Sequence, residues 1–230
     1  MTTKTTMLKP ITELEQPAFC QEDDLKTKPL EEEFKVPVRW QRVPAEYMPL
    51  EPSAIAAGIK RAKANLGNRV VMLGHHYQRD EVIQFVDYIG DSYKLSRYAA
   101  EQEAEYIIFC GVHFMAETAD ILSKDNQKVI LPNMLAGCSM ADMAPTDEVL
   151  GCWDDLQEAL ADETIIPITY MNSTAAIKAL CGRNNGIVCT SSNAVKAFEW
   201  AFERGNKVLF LPDQHLGRNS ALQLGINESE

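Results

Sequence analysis

The chain has 230 residues, of which 46% are hydrophobic and 24% charged, and a formal net charge of −11. That length supports one large domain or two small ones, each with a real core. An acidic surface repels nucleic acid and anionic membranes, so neither is an expected partner, and any anionic metabolite must be held by local donors inside a cleft.

No run of about 18 apolar residues marks a membrane span. The opening stretch MTTKTTMLKPITELEQP lacks a signal-peptide apolar core and carries Glu13 and Glu15, so a cytoplasmic location is expected. In that compartment Cys20, Cys110, Cys138, Cys152, Cys181 and Cys189 read mainly as small buried hydrophobes rather than disulfide partners. No C-x-x-C pair is present, which argues against a zinc ribbon.

Residues 1–50 are polar and dotted with Pro10, Pro17, Pro29, Pro37 and Pro44, which predicts a draping extension. A helix is predicted over Pro52–Leu66, with Gly67 at its end. Arg69–Leu73 is a short apolar run of the kind that forms a buried parallel strand. A helix is expected over Glu81–Ile89, a break at Gly90-Asp91-Ser92 and a second helix over Tyr93–Glu103. A strand at Tyr106–Phe109, a helix at Ala116–Leu122 and a strand at Lys128–Leu131 follow. The pattern then recurs: helix Trp153–Ala161, strand Ile165–Thr169, helix Ala175–Leu180, strand Ile187–Cys189, helix Asn193–Arg204, strand Val208–Leu211. Strands alternating with helices through short connections predict an α/β fold with parallel sheets.

Two stretches of the pattern look alike. One strand leads into His75-His76-Tyr77 and another into Tyr170-Met171-Asn172, each placing two polar side chains one residue apart just past a strand's carboxyl end. Open α/β sheets bind ligands there. Each stretch then meets a serine before a helix, Ser92 in one and Ser191-Ser192 in the other. Tyr77 and Asn172 lie 95 positions apart.

His75 and Tyr77, at i and i+2, point the same way on extended backbone and could serve as acid, base or donor. The alternative is a pair of surface or capping residues. Ser92 and Thr190-Ser191-Ser192-Asn193 precede helices, where hydroxyls and backbone N–H groups bind phosphate or carboxylate; plain N-capping is the competing role. Cys110 and His113 could form a metal or nucleophile–base pair, or simply pack. Cys138, in Ala136-Gly137-Cys138-Ser139, sits beside glycine in a post-strand loop and is the cysteine best placed to be a ligand. A cluster of Cys110, Cys138 and Cys189 is conceivable. Asp213-Gln214-His215-Leu216-Gly217-Arg218-Asn219 reads either as an exposed connecting loop or as a site or inter-domain contact.

Six strings, GHHYQRDEVIQFVDYIGDS, FCGVHFMAETADILS, VILPNMLAGCSMAD, ITYMNSTAAIKAL, CTSSNAVKAF and LPDQHLGRN, resemble quinolinate synthases and fall in that family's order over roughly residues 55 to 226. The resemblance implies repeated three-layer αβα domains with short parallel sheets, three in the family around a pseudo-threefold axis. Here it implies a polar extension at 1–50, a first α/β domain at 51–145 and a second at 146–230, whose completeness the sequence leaves open. It implies a [4Fe–4S] cluster held by one cysteine from each domain, with an open iron acting as Lewis acid. The implied reaction is the condensation of iminoaspartate with dihydroxyacetone phosphate to quinolinate in NAD biosynthesis. By motif, Cys138 resembles the first cluster ligand. His75 and Tyr77 resemble the substrate-contacting and proton-moving pair, Tyr170 and Asn172 the matching pair, and Ser92 and Ser191 the hydroxyls that hold phosphate or carboxylate. The implied partner is the L-aspartate oxidase that supplies iminoaspartate.

Cys110, Cys152, Cys181 and Cys189 match no family ligand. The family's later cysteines and its His-Pro-Glu site have no counterpart in the 230 residues, and the repeat offset applied to Cys138 falls just past Glu230. The chain alone is therefore expected to be inactive; a truncated frame, a fragment and a split gene all fit. Two other readings stand beside this one: a non-catalytic anion-binding remnant, and a cluster-free isomerase or aldolase acting on a phosphorylated sugar.

Overall fold

A computed structural model describes residues 43–227; the first 42 residues, including Cys20 and most of the expected polar extension, lie outside it. The chain divides into residues 1–57 and residues 58–230, and both sheets belong to the second unit.

The first sheet contains β1 (Val70–His75), β2 (Tyr88–Gly90), β3 (Tyr106–Cys110) and β4 (Lys128–Ile130), all parallel in the order β2-β1-β3-β4. The second contains β5 (Ile165–Tyr170), β6 (Ile187–Cys189) and β7 (Lys207–Leu211), parallel in the order β6-β5-β7. The helices are α1 (Pro52–Leu66), α2 (Asp80–Ile83), α3 (Ser92–Glu101), α4 (His113–Leu122), α5 (Thr146–Ala159), α6 (Ala175–Arg183), α7 (Ala194–Phe202) and α8 (Gln214–Gln223).

The strands are nearly continuous apolar runs because both faces of each sheet are covered. Val71, Leu73, Ile107 and Phe109 pack with Leu95 and Ala99 of α3 and with Phe114, Met115 and Ala119 of α4. The alternate residues Val70, Met72, Tyr106 and Ile108 line a groove with Ile59, Ala62 and Leu66 of α1. Period-two alternation thus sends successive side chains to different layers. The second sheet repeats the device. Ile166 and Ile168 join Ala197, Phe198 and Ala201 of α7, while Ile165 joins Val149, Trp153, Ile177 and Leu180 of α5 and α6. The result is the expected α/β, three-layer arrangement. Each fully buried Leu or Phe of these layers contributes roughly 2–3 kcal/mol.

Two expected elements differ. The helix expected over Glu81–Ile89 stops at Ile83, and Tyr88–Gly90 is instead β2. Asp87 drives the change: its backbone N–H donates to the Met72 carbonyl at 2.7 Å, and its carboxylate accepts from the Met72 N–H at 2.8 Å. Lys63 closes the arrangement with a 2.8 Å ion pair to Asp87. Residues 213–219 are not a connecting loop but open α8, whose first turn is capped by Asp213 accepting from His215 N at 2.9 Å and Leu216 N at 3.2 Å. Leu216 and Ala221 of α8 pack on the second core.

In both sheets the first strand is flanked by the second on one side and the third on the other, so the chain reverses direction across the sheet beside β1 and again beside β5. Met171, just after β5, is buried in the core of the first sheet, so the two sheets share packing.

Helix α6 ends where Asn185 adopts the left-handed region (φ 56°) and Gly186 N donates to the Cys181 carbonyl at 2.7 Å. A Cβ on Gly186 would lie 2.0 Å from the Pro167 carbonyl oxygen, which is strand backbone. Gly186→Ala is therefore expected to cost about 3 kcal/mol through overpacking, seen as a fall of roughly 10 °C in the thermal midpoint. Gly182→Ala, in open space on the same helix, is expected to raise stability by about 0.5–1 kcal/mol. Equal effects for the two substitutions, read by calorimetry, would contradict this packing.

Candidate functional site

Each motif singled out by spacing stands at a strand's carboxyl end. His75 closes β1 and pairs in register with Gly90 of β2; Ser92 follows two residues later as the first residue of α3. Tyr170 closes β5 and pairs with Cys189 of β6; Ser191 follows two residues later, before α7. The two stretches are thus alike in register as well as in sequence order.

His75, Tyr77, Ser92, Cys138, Tyr170 and Asn172 line one cleft of about 580 Å³ together with His76, Asp91 and Phe114. A second cleft of about 370 Å³ shares Asp91, Ser92, Tyr170 and Asn172 with it and adds Lys94, Thr190, Ser191 and Ser192. All seven residues singled out from the sequence therefore meet in two adjoining clefts. Volumes of this order suit small-molecule ligands.

His75 is buried, 5% exposed. Its Nδ1 accepts from the Tyr77 backbone N–H at 3.5 Å, which leaves the proton on Nε2, 3.5 Å from Ser92 Oγ. Burial, reinforced by His76, pushes its pKa down to about 4 against the opposing charge of Asp91. His75 is therefore a neutral donor at physiological pH. Tyr77 does not continue an extended strand: it lies in a turn closed by Gln78 N donating to the His75 carbonyl at 2.9 Å, with its ring 3.9 Å from the His75 ring. The two side chains still reach the same cleft.

Burial raises the Tyr77 phenol above its ordinary pKa, and the nearby Cys138 adds to the shift. Burial likewise raises Tyr170, against a hydrogen bond with Ser191 that lowers it. Both phenols stay protonated at neutral pH. Burial works against the Asp91 charge, but hydrogen bonds from Lys94 and Tyr93 and the Lys94 ammonium outweigh it and hold the carboxyl below the usual range. Asp91 caps α3 by accepting from Lys94 N at 2.9 Å. Thr190 N donates to Asn193 Oδ1 at 2.6 Å, fixing the turn before α7.

Cys138 is half-buried in the loop after β4. An Asn133 turn supports that loop, with Leu135 N donating to Asn133 Oδ1 at 2.9 Å, and His113 N donates to the Ala136 carbonyl at 2.7 Å. Asn172 Nδ2 approaches Cys138 Sγ at 3.9 Å. The other described cysteines do not join it. Cys110, Cys181 and Cys189 are buried, and burial pushes the Cys181 and Cys189 thiols up to about 12. Cys152 is exposed on α5. Among the described residues no three His, Cys, Asp or Glu side chains form a metal-binding group, so the conceivable cluster of Cys110, Cys138 and Cys189 is not formed. Nor is Cys110 paired with His113, whose Nδ1 instead lies 3.7 Å from Glu117 Oε1.

The sequence reading passed over Lys94 and Phe114 as lining residues. Lys94 sits in the first turn of α3, two residues past Ser92, and that spacing was its available signal. Phe114 follows His113 in an apolar run that read only as packing.

The His75 environment makes a pH prediction. The folded pKa near 4 lies below the ordinary value of 6.5, so the unfolded chain takes up the proton first. The contribution of His75 to stability is complete above pH 6.5 and is lost as pH falls towards 4. In an NMR titration, one of the four histidines is expected to titrate near pH 4, and that resonance should vanish in His75→Gln. A His75 signal titrating near 6.5 would contradict the buried neutral imidazole.

Comparison with known proteins adds to this geometry. The family model for quinolinate synthetase A protein matches residues 57–229. The quinolinate synthase of Acidobacterium capsulatum is 60% identical over 185 residues, covering 80% of this chain and 50% of that protein. That of Corynebacterium glutamicum is 59% identical over 189 residues, covering 82% and 48%, and that of Streptomyces coelicolor 61% over 176 residues, covering 76% and 44%. The chain spans about half the length of the curated relatives it matches. With three-quarters of its length matched by the family model and these identities, the chain belongs to the quinolinate synthase family.

Proposed function

We propose that the two clefts are a quinolinate synthase site, built to condense iminoaspartate with dihydroxyacetone phosphate on the way to NAD. The observation that carries this reading is the meeting of His75, Tyr77, Ser92, Cys138, Tyr170, Asn172 and Ser191 around two shared clefts in a chain of this family. In this reading the two sheets are the cores of two α/β domains, residues 51–145 and 146–230, which work in the cytoplasm beside the oxidase that supplies iminoaspartate.

Both substrates are anionic and the protein is strongly acidic, so binding relies on oriented dipoles. The starts of α3 and α7 offer backbone N–H groups beside the Ser92 and Ser191 hydroxyls, a fitting seat for phosphate or carboxylate. The Asn172 amide and the Nε2–H of neutral His75 add uncharged donors. Tyr77 and Tyr170, held protonated by burial, can donate to a developing oxyanion, and Tyr77 against His75 is the group placed to hand over a proton. The closure of the pyridine ring releases phosphate and water, so proton donors at the leaving oxygens are needed.

The family's [4Fe–4S] cluster would supply a Lewis-acidic iron. Cys138, loop-borne and lining the cleft, suits one thiolate ligand. The described residues place no three-ligand group beside it, so by themselves they do not fit the whole cluster.

Calorimetric titration with dihydroxyacetone phosphate tests the seat. Binding by the unsubstituted chain is expected to weaken about tenfold in Ser92→Ala and in Ser191→Ala, the loss of one hydrogen bond to a charged group. An unsubstituted chain, folded by circular dichroism, that takes up no dihydroxyacetone phosphate at millimolar concentration would overturn the assignment.

A further inference from the structure

Tyr170 and Asn172 belong to a five-residue turn, Tyr170–Thr174, that must face the cleft from the second sheet while Met171, between them, is buried in the core of the first. That alternation needs the backbone of the turn to be held. Thr169 Oγ1 donates to Ser173 Oγ at 2.9 Å, and Ser173 Oγ donates to the Tyr170 carbonyl at 2.8 Å. Thr169 and Ser173 are both fully buried. The Ser173 carbonyl accepts from Lys178 Nζ.

Lys178 lies one turn into α6, and its ammonium stands 5.5 Å from the ring centroid of Phe114, which belongs to α4 and lines the cleft. On the same helix α4, Glu117 accepts from Ala175 N at 3.0 Å and so caps the start of α6. The two contacts run in opposite directions across the same junction: a carboxylate from the first half holds a helix of the second, and a lysine of that helix lies over a ring of the first.

We infer that Lys178 is a positioning residue for the candidate site, holding the Tyr170–Thr174 turn against α4 so that Asn172 reaches Cys138 and the cleft. Burial of an ammonium is costly, and it lowers the Lys178 pKa to about 8 despite the opposing Glu117 charge. A methionine of similar length would fill the same space without that cost, so a lysine here is better explained by its hydrogen bond than by packing. No functional group of Lys178 lines either cleft, which separates its role from substrate contact.

The test uses the 230-residue chain, isotopically labelled, without substrate. In Lys178→Met the side-chain amide protons of Asn172 are expected to lose their separate shifts and move to free-amide values. The heteronuclear NOE of residues 171–173 should fall, while dispersion elsewhere and the thermal midpoint are retained. Glu117→Gln, which keeps the acceptor for Ala175 N, should leave the Asn172 signals in place. A purely structural lysine would give the reverse: a lowered midpoint with unmoved Asn172 signals, and that result overturns the inference. Should Lys178→Met fail to fold, Lys178→Gln, too short for the Ser173 carbonyl, is expected to give the same Asn172 loss, and unmoved signals there count against the inference equally. The functional consequence rests on reading Tyr170 and Asn172 as substrate groups. It is measured separately, as an expected fivefold to tenfold weakening of dihydroxyacetone phosphate binding in Lys178→Met. An unsubstituted chain that binds none of it sinks that reading while leaving the NMR result to decide the role of Lys178.

Discussion

Everything at the site depends on parallel pairing around a central first strand. A parallel sheet sends the carboxyl ends of its strands to one side, and a strand flanked on both sides by its successors leaves a crevice at its own end. The chain meets that condition twice, at β1 and at β5. The crevice at β1 receives His75 and, through the β2 register, Ser92; the crevice at β5 receives Tyr170 and Ser191. Because Met171 is buried in the first core, the second crevice is fixed against the first rather than merely near it. The two-cleft site follows from two copies of one topology and one buried methionine.

Burial then sets the chemistry. The same loss of solvent that lowers His75 raises Tyr77 and Tyr170, and in each case it favours the uncharged form. The clefts therefore present neutral N–H and O–H donors, beside the charged Lys94 and Asp91, in a protein of net charge −11. A cationic pocket would attract anions from a distance but would also be matched by the surrounding acids. Neutral donors and helix starts act only within hydrogen-bond reach, which suits small polar anions that must be oriented as well as held.

Most of this was legible in the sequence because the informative residues sit at strand ends, where composition changes abruptly from apolar to polar. The runs ending at His75 and Tyr170 located β1 and β5 within two residues. What escaped depends on distance along the chain. β2 was read as helix because VIQFVDYI has no alternation, and the deciding contact is between Asp87 and Met72, on a neighbouring strand. Helix α8 was passed over because polar Asp213-Gln214-His215 opens it, although Asp213 followed by apolar Leu216 and Ala221 was a capping signal with a buried face. The roles of Lys178 and Glu117 in holding the turn were not legible: one looks like an ordinary exposed helical lysine, and the other makes its contact 58 positions away.

The cysteines show how far residue type alone can mislead. Six cysteines in a chain of this family invite several metal readings, yet burial separates the five described ones without reference to any relative. Cys181 on α6 and Cys189 at the end of β6 are buried where a thiolate is strongly disfavoured, so their thiols stay protonated and inert. Cys110 is raised in the same way at the end of β3, with Lys63 opposing. Cys152 is exposed and lines neither cleft of the candidate site. Cys138 is the described cysteine that lines the candidate site, where the Asn133 turn and the His113 N–H support its loop while its side chain also packs against the first core. The glycine before it is part of the same solution, since a Cβ at Gly137 would lie 3.2 Å from the Asp142 carboxylate, which is tighter than ordinary contact. A cleft-lining thiol here is thus a property of the loop's backbone: the local hydrogen bonds keep Cys138 at the cleft, and Asn172 meets it from the opposite sheet.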